Sequence, residues 1–122
     1  MFVYRMNKGK KEFFVLRHRQ VGNVVLTGHV EEGEKMEETV KREIEEELGA
    51  VTLETLDLNY QYTVAIERDQ ELSEEHAFLV RIPNEEVKFL AADEPHGWYV
   101  LGELENILTF EGQKKAVRKI SI

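Results

Sequence analysis

The stretch from Gly28 to Ala50, GHVEEGEKMEETVKREIEEELGA, constrains the fold more than any other part of the chain. A glycine-punctuated loop, Gly28 to Gly33, opens it, and a helical segment is predicted from roughly Glu34 to Leu48. Gly49 is placed to end that helix, because glycine accepts a positive φ without a Cβ clash. Met36, Val40, Ile44 and Leu48 recur every fourth residue as one apolar stripe, so the helix must lie on a core. Glu43, Glu46 and Glu47 fall at i, i+3 and i+4 and share a face beside the stripe, whereas Glu38 and Glu45 project to the other side. Like charges at this spacing cost a helix about 0.2–0.5 kcal/mol a pair. A divalent cation turns the repulsion into coordination, and Mg²⁺ prefers oxygen ligands and shares itself with substrate phosphates. A plain solvated glutamate face is the competing explanation of the helix taken alone.

The loop and helix together resemble the Nudix box, G-x5-E-x7-R-E-U-x-E-E-x-G-U, where U is a bulky aliphatic residue. Gly28, Glu34, Arg42, Glu43, Ile44, Glu46, Glu47 and Gly49 stand at its spacings. Ala50 replaces the last aliphatic, and the adjacent Val51 is expected to fill its space. The resemblance implies an α+β fold, a Nudix-like α/β/α sandwich with a mixed β-sheet between the box helix and the C-terminal helix. It implies a Mg²⁺- or Mn²⁺-dependent hydrolase that cleaves a diphosphate bond in a nucleoside diphosphate linked to another group. Carried over by position, Glu46 and Glu47 are metal ligands and Glu43 is a metal ligand or the general base. Arg42 holds the carboxylates in place, Glu34 is a secondary ligand or a brace for the loop, and Gly28 and Gly33 shape the loop.

The rest of the chain supports one domain over residues 1–122. The formal net charge of −8 argues against nonspecific binding to nucleic acid or anionic membranes, and a polyphosphate substrate then needs a metal or local cations to approach. There is no cysteine, hence no disulfide framework. No apolar run reaches the roughly 18 residues of a membrane span, and the first residues do not read as a signal peptide, so a cytoplasmic protein, monomer or homodimer, is the expectation.

Strands are predicted at Phe2–Met6 and Lys11–Arg17, joined by a turn in which Asn7 and Gly9 take positive φ. The second strand runs into Arg17, His18 and Arg19, and Arg17 and Arg19 are candidates to meet substrate phosphate together with Gly28. Val24–Thr27 is a further β-rich run. The sequence Leu-Thr-Gly28-His-Val-Glu is similar to the variant box entry of the branch that hydrolyses dihydroneopterin triphosphate and dATP, with Asn23 where that branch usually has Trp. An edge strand over Val51–Leu56 and strands over Asn59–Arg68 and Glu75–Ile82 follow. Glu75-His76 resembles a pair of the same branch; His76 either orients substrate or is satisfied by backbone. Leu90 to Gly97 is read as a loop, in which Asp93 and Glu94 are a possible extra acid, because the family often carries a ligand or base before the Trp found here as Trp98. Thr109 is placed to cap the last helix, whose Gln113, Ala116, Val117 and Ile120 form its inner face.

The rival readings are a Nudix-fold module that binds nucleotide or a partner without turnover, and an acidic helix used as an interaction surface. The intact set Arg42, Glu43, Glu46 and Glu47 weighs against the first, and the Gly28 to Glu34 loop, for which an interaction surface gives no reason, against the second. The box specifies diphosphate chemistry and leaves the nucleoside open.

Overall fold

The computed structural model describes residues 1–18, 21–66, 71–84 and 96–120. Six strands form one mixed sheet: β1 (Phe2–Asn7), β2 (Lys10–His18), β3 (Gly22–Val24), β4 (Glu54–Ile66), β5 (Glu71–Arg81) and β6 (His96–Val100). Three helices cover it: α1 (Met36–Leu48), α2 (Leu101–Ile107) and α3 (Glu111–Val117). The strand order is β3-β2-β1-β5-β4, and β6 pairs with β2. Only the β1–β5 contact is parallel among the described ladders, with Phe2, Val3 and Tyr4 opposite Leu79, Val80 and Arg81.

Side chains alternate across a strand, so each central strand feeds two cores. Val3, Phe14, Phe78 and Val80 face α1 and pack with Val40, Ile44 and Leu48. Phe2, Phe13, Val15, Ala77 and Leu79 face the other way and pack with Leu104, Leu108, Ala116 and Val117. The expected sandwich is therefore present, with α1 alone on one side and α2 and α3 on the other.

Several local expectations are corrected. The β1–β2 hairpin uses Lys8 (φ 51°) and Gly9 (φ 78°) as its two positive-φ positions, the pair a tight primed turn needs. Asn7 instead donates its amide to Glu12 Oε1 at 3.1 Å. β3 lies at Gly22–Val24, ahead of the predicted run. Helix α1 begins at Met36 rather than Glu34, since Glu34 remains in a turn closed by its N–H on the Glu31 carbonyl. Val51 is 65% exposed and does not fill the place left by Ala50. The loop expected to run to Gly97 ends earlier, because His96 already belongs to β6 and stacks on Phe14.

The two strands expected at Val51–Leu56 and from Asn59 are one strand, β4. Asp57 pairs with Phe78 and Gln61 with His76, so residues 58–60 stand opposite Ala77 alone in a bulge. Asn59 adopts φ 52° there, and its N–H donates to Asp57 Oδ1 at 2.7 Å. Asp and Asn look like turn residues in sequence for the same reason that they can hold a bulge: each tolerates or closes a local hydrogen-bonded kink.

Thr109 does not cap α3, whose N-cap residue is Phe110. It anchors β3: its hydroxyl accepts the Asn23 N–H at 2.9 Å and its own N–H donates to the Asn23 carbonyl at 3.0 Å. The Asn23 side chain donates to the Ile107 carbonyl at 2.9 Å, at the end of α2. Gly22 makes this closeness possible, as a Cβ there would lie 2.2 Å from Thr109 Oγ1 on a backbone at φ +106°. Gly22→Ala is expected to destabilise the fold by about 2–4 kcal/mol, combining backbone strain with overpacking. Adding Thr109→Ala should recover part of the loss, which a denaturant double-mutant cycle would measure.

Candidate active site

Arg42 sits at the centre of the box. Its Nε donates to Glu34 Oε2 at 2.8 Å and its Nη2 to Glu34 Oε1 at 3.1 Å, a two-pronged bond. Nη1 donates to Glu43 Oε1 at 2.8 Å and to Glu46 Oε2 at 3.2 Å, and Nη2 also reaches the His29 carbonyl at 2.9 Å. One guanidinium thus ties the loop to the carboxylate face of α1.

Glu34 is the other end of that tie. Besides Arg42, its Oε1 accepts the Thr39 hydroxyl at 2.6 Å and the Glu31 N–H at 3.1 Å. These donors, Arg42 first, hold its carboxyl down at about 2 against the usual 4.5. Gly33, at φ 79°, turns the chain into this arrangement. Gly28 is required for a different reason. A Cβ at that position would stand 2.4 Å from Glu43 Cγ, so the loop backbone and Glu43 share space that only glycine leaves free.

The carboxylates on the exposed side of α1 differ in their engagement. Glu43 is nearly enclosed, with 13% of its side chain exposed, while the Glu46 side chain is 57% exposed. Glu47 lies half-buried on the same face, one turn beyond Glu43. Among the described residues no three acids or imidazoles converge closely enough, as they stand, to enclose a metal ion. Their chemistry nevertheless suits a hard cation: carboxylate oxygens on one helix face, with the loop backbone at Gly28 packed directly against Glu43.

Of the residues singled out from sequence, the structure gathers Gly28, Glu34, Arg42, Glu43 and Glu46 through direct contacts. It does not bring Arg17 to them. Arg17 projects from the face of β2 that carries Phe13 and Val15, away from α1, and its Nη2 donates to Tyr99 Oη at 2.5 Å. Arg19, Asp93 and Glu94 lie outside the described residues.

A cavity of about 330 Å³ opens beside the box, lined by Gly28, Val30, Met36, Thr39 and, across it, Gln61, His76 and Phe78. Sequence reading had not joined Gln61 to the site, and His76 is held by side chains rather than by backbone. His76 Nε2 lies 2.6 Å from Asp57 Oδ1 and His76 Nδ1 lies 3.3 Å from Gln61 Nε2. The His76 contact, then the Asn59 N–H, holds the Asp57 carboxyl below its ordinary range. Asp57 reaches His76 from the end of the bulge, whose register had no signature in the sequence.

Residues 1–120 match the NUDIX domain family, and the chain belongs to that family. An Ap4A hydrolase of C. elegans, solved as a binary complex, superposes with a TM-score of 0.76 at 21% identity, covering 97% of this chain and 89% of that one. The E. coli dihydroneopterin triphosphate pyrophosphohydrolase superposes with a TM-score of 0.74 at 17% identity, covering 98% and 91%. At these identities the likeness is one of fold. An octanoyltransferase of Myxococcus xanthus is 31% identical over 98 residues, and the match takes in 78% of this chain but only 27% of that protein's length. No described helix is long and apolar enough to cross a membrane.

The Glu34–Arg42 tie carries a pH signature. Glu34 has a depressed folded-state pKa, so its contribution is fully present above about 4.5 and is lost as pH falls toward about 2. Denaturant titrations should show Glu34→Gln less stable than wild type at pH 6, with the gap narrowing through this window. A gap that stays constant down to pH 2 would show that the tie does not stabilise the fold.

Proposed function

We propose that this chain is a pyrophosphohydrolase that cleaves the diphosphate bond of a nucleoside polyphosphate or nucleoside diphosphate derivative. The carrying observation is the Arg42 clamp, which positions Glu43 and Glu46 while Gly28 lets the loop backbone close on Glu43. A solvated helix face would have no need of a bidentate brace from the preceding loop. Nudix relatives usually depend on a divalent metal, and Mg²⁺ or Mn²⁺ fits the carboxylate donors here. Glu46 and Glu47 are the proposed ligands, with Glu43 beside them. Such a cation, when bound, supplies charge neutralisation for the diphosphate and activation of water.

The chain's own residues have separate tasks. Glu43 is the proposed general base: Arg42 occupies its Oε1, and its other oxygen remains to accept a proton from the attacking water. Arg42 fixes the rotamers of Glu43 and Glu46 and screens their mutual repulsion. Glu34, with both oxygens committed to Arg42, Thr39 and the loop, acts as a brace and not as a ligand. Octanoyl transfer is not carried over, because the matched segment is about a quarter of the transferase.

Activity against a panel of nucleoside polyphosphates should require divalent metal and vanish on chelation. Glu46→Gln and Glu47→Gln should each lower turnover on the order of a hundredfold or more, since even outer partners of a metal site are worth about 10–100-fold. Glu45→Gln, on the solvent side, should retain it. Absence of hydrolysis across the panel with metal present, alongside nucleotide binding, would make the chain a non-catalytic nucleotide-binding module.

The base assignment has its own test. At saturating Mg²⁺, Glu43→Gln should lose more turnover than the double change Asp93→Asn, Glu94→Gln. The reverse order would place the base at Asp93 or Glu94.

A further inference from the structure

The cavity beside the box has a wall whose polarity is set by a relay on β4 and β5. Asp57, an ionised carboxylate fastened by the Asn59 N–H, can only accept. The hydrogen between it and His76 therefore resides on Nε2. In the neutral ring Nδ1 is then an acceptor, and the Gln61 amide must turn its NH₂ toward it. That leaves Gln61 Oε1 as the atom offered to the cavity. Gln61 is exposed and lines it, as do the apolar side chains of Val30, Met36, Val40 and Phe78. Glu74, in step with His76 along β5, adds a carboxylate at the rim.

We infer that this cavity binds the heterocycle of the substrate, and that Gln61, oriented by Asp57 and His76, selects a ring bearing an amino or ring N–H group. An apolar wall with acceptors at one edge suits a planar donor-bearing heterocycle and repels a second phosphate. The volume of about 330 Å³ falls at the lower end of small-molecule sites, enough for one such ring system. The cavity shares Gly28 with the box, so a base seated there has its phosphates beside Glu43. The assignment rests on the hydrolase reading for the word substrate, but the binding it describes needs no turnover. Gln61 is the selecting residue; Asp57 and His76 are positioning residues.

The test uses phosphate-free nucleosides in matched pairs that differ by one amino group: adenosine against purine riboside, and guanosine against inosine. Binding to the whole chain is followed by NMR through the backbone amides at positions 30, 61 and 78, which line the cavity and are present in every variant, without added metal. The aminated member of at least one pair should bind about 3–10-fold more tightly, the worth of one net hydrogen bond. Gln61→Met should bring that ratio close to one, while Gln61→Glu, which keeps an acceptor, should retain it. His76→Phe should lower the ratio with Gln61 still present, an effect that lost stability alone would not produce. An unchanged ratio in Gln61→Met, or no saturable shift at these backbone amides with any of the nucleosides, would overturn the assignment. A chain that binds aminated nucleosides at Gln61 yet hydrolyses nothing would overturn the proposed reaction and leave this site standing. Hydrolysis without such binding would do the reverse.

Discussion

One guanidinium organises the loop and helix between Gly28 and Gly49. Carboxylates on a helix face repel, and left alone they spread into solvent. Arg42 counters this with hydrogen bonds to Glu34, Glu43 and Glu46, and the fork geometry is what permits it: a lysine ammonium carries the same charge but no planar pair of donors. The clamp also explains why the loop and helix form one unit. Glu34 is held by α1 residues, Thr39 and Arg42, while Arg42 in turn grips the loop carbonyl of His29. Neither part reaches its observed position without the other.

The clamp depends on a platform. Val40, Ile44 and Leu48 are buried against β1, β2 and β5, which fixes the rotation of α1 about its axis and so the direction in which Glu43 and Glu46 point. The opposite core, with α2 and α3, gives the sheet its second support. Trp98 and Phe14 meet edge to face on the α1 side, and Arg5 lies 4.0 Å over the Trp98 ring. Such packing keeps the site on rigid elements, where small errors in carboxylate placement would otherwise be costly.

What could be read in the sequence was what period and spacing encode. The α1 stripe from Val40 through Ile44 to Leu48, the Gly49 stop, the facing glutamates and the alternating strands follow from local geometry and are present, whereas Met36, the first residue of the stripe, is 41% exposed. The failures share a cause: residues whose role is set by a partner far along the chain. Thr109 looks like a cap and is a latch on Asn23, 86 residues away. Asp57 looks like the end of a strand and is the anchor of His76. Arg17 stands ahead of the box in sequence, but in the structure it lies across the sheet from α1, bonded to Tyr99, 82 residues away. Buried Gln113 could be assigned to an inner helical face, yet its acceptance of the Val25 N–H at 3.3 Å, which satisfies the backbone just beyond β3, has no local trace.

The bulge in β4 bears on how this strand can vary in length. Residues 58–60 face a single residue of β5, so the excess is two, an even number. Side-chain direction alternates with every residue, and an even excess restores the original phase: Gln61 stays on the α1 side and Tyr62 in the opposite core. One residue more or fewer here is either absorbed as a bulge of odd excess or it exchanges them, exposing a buried tyrosine and burying an amide. Length changes of two in this segment keep the phase of the strand with no such adjustment.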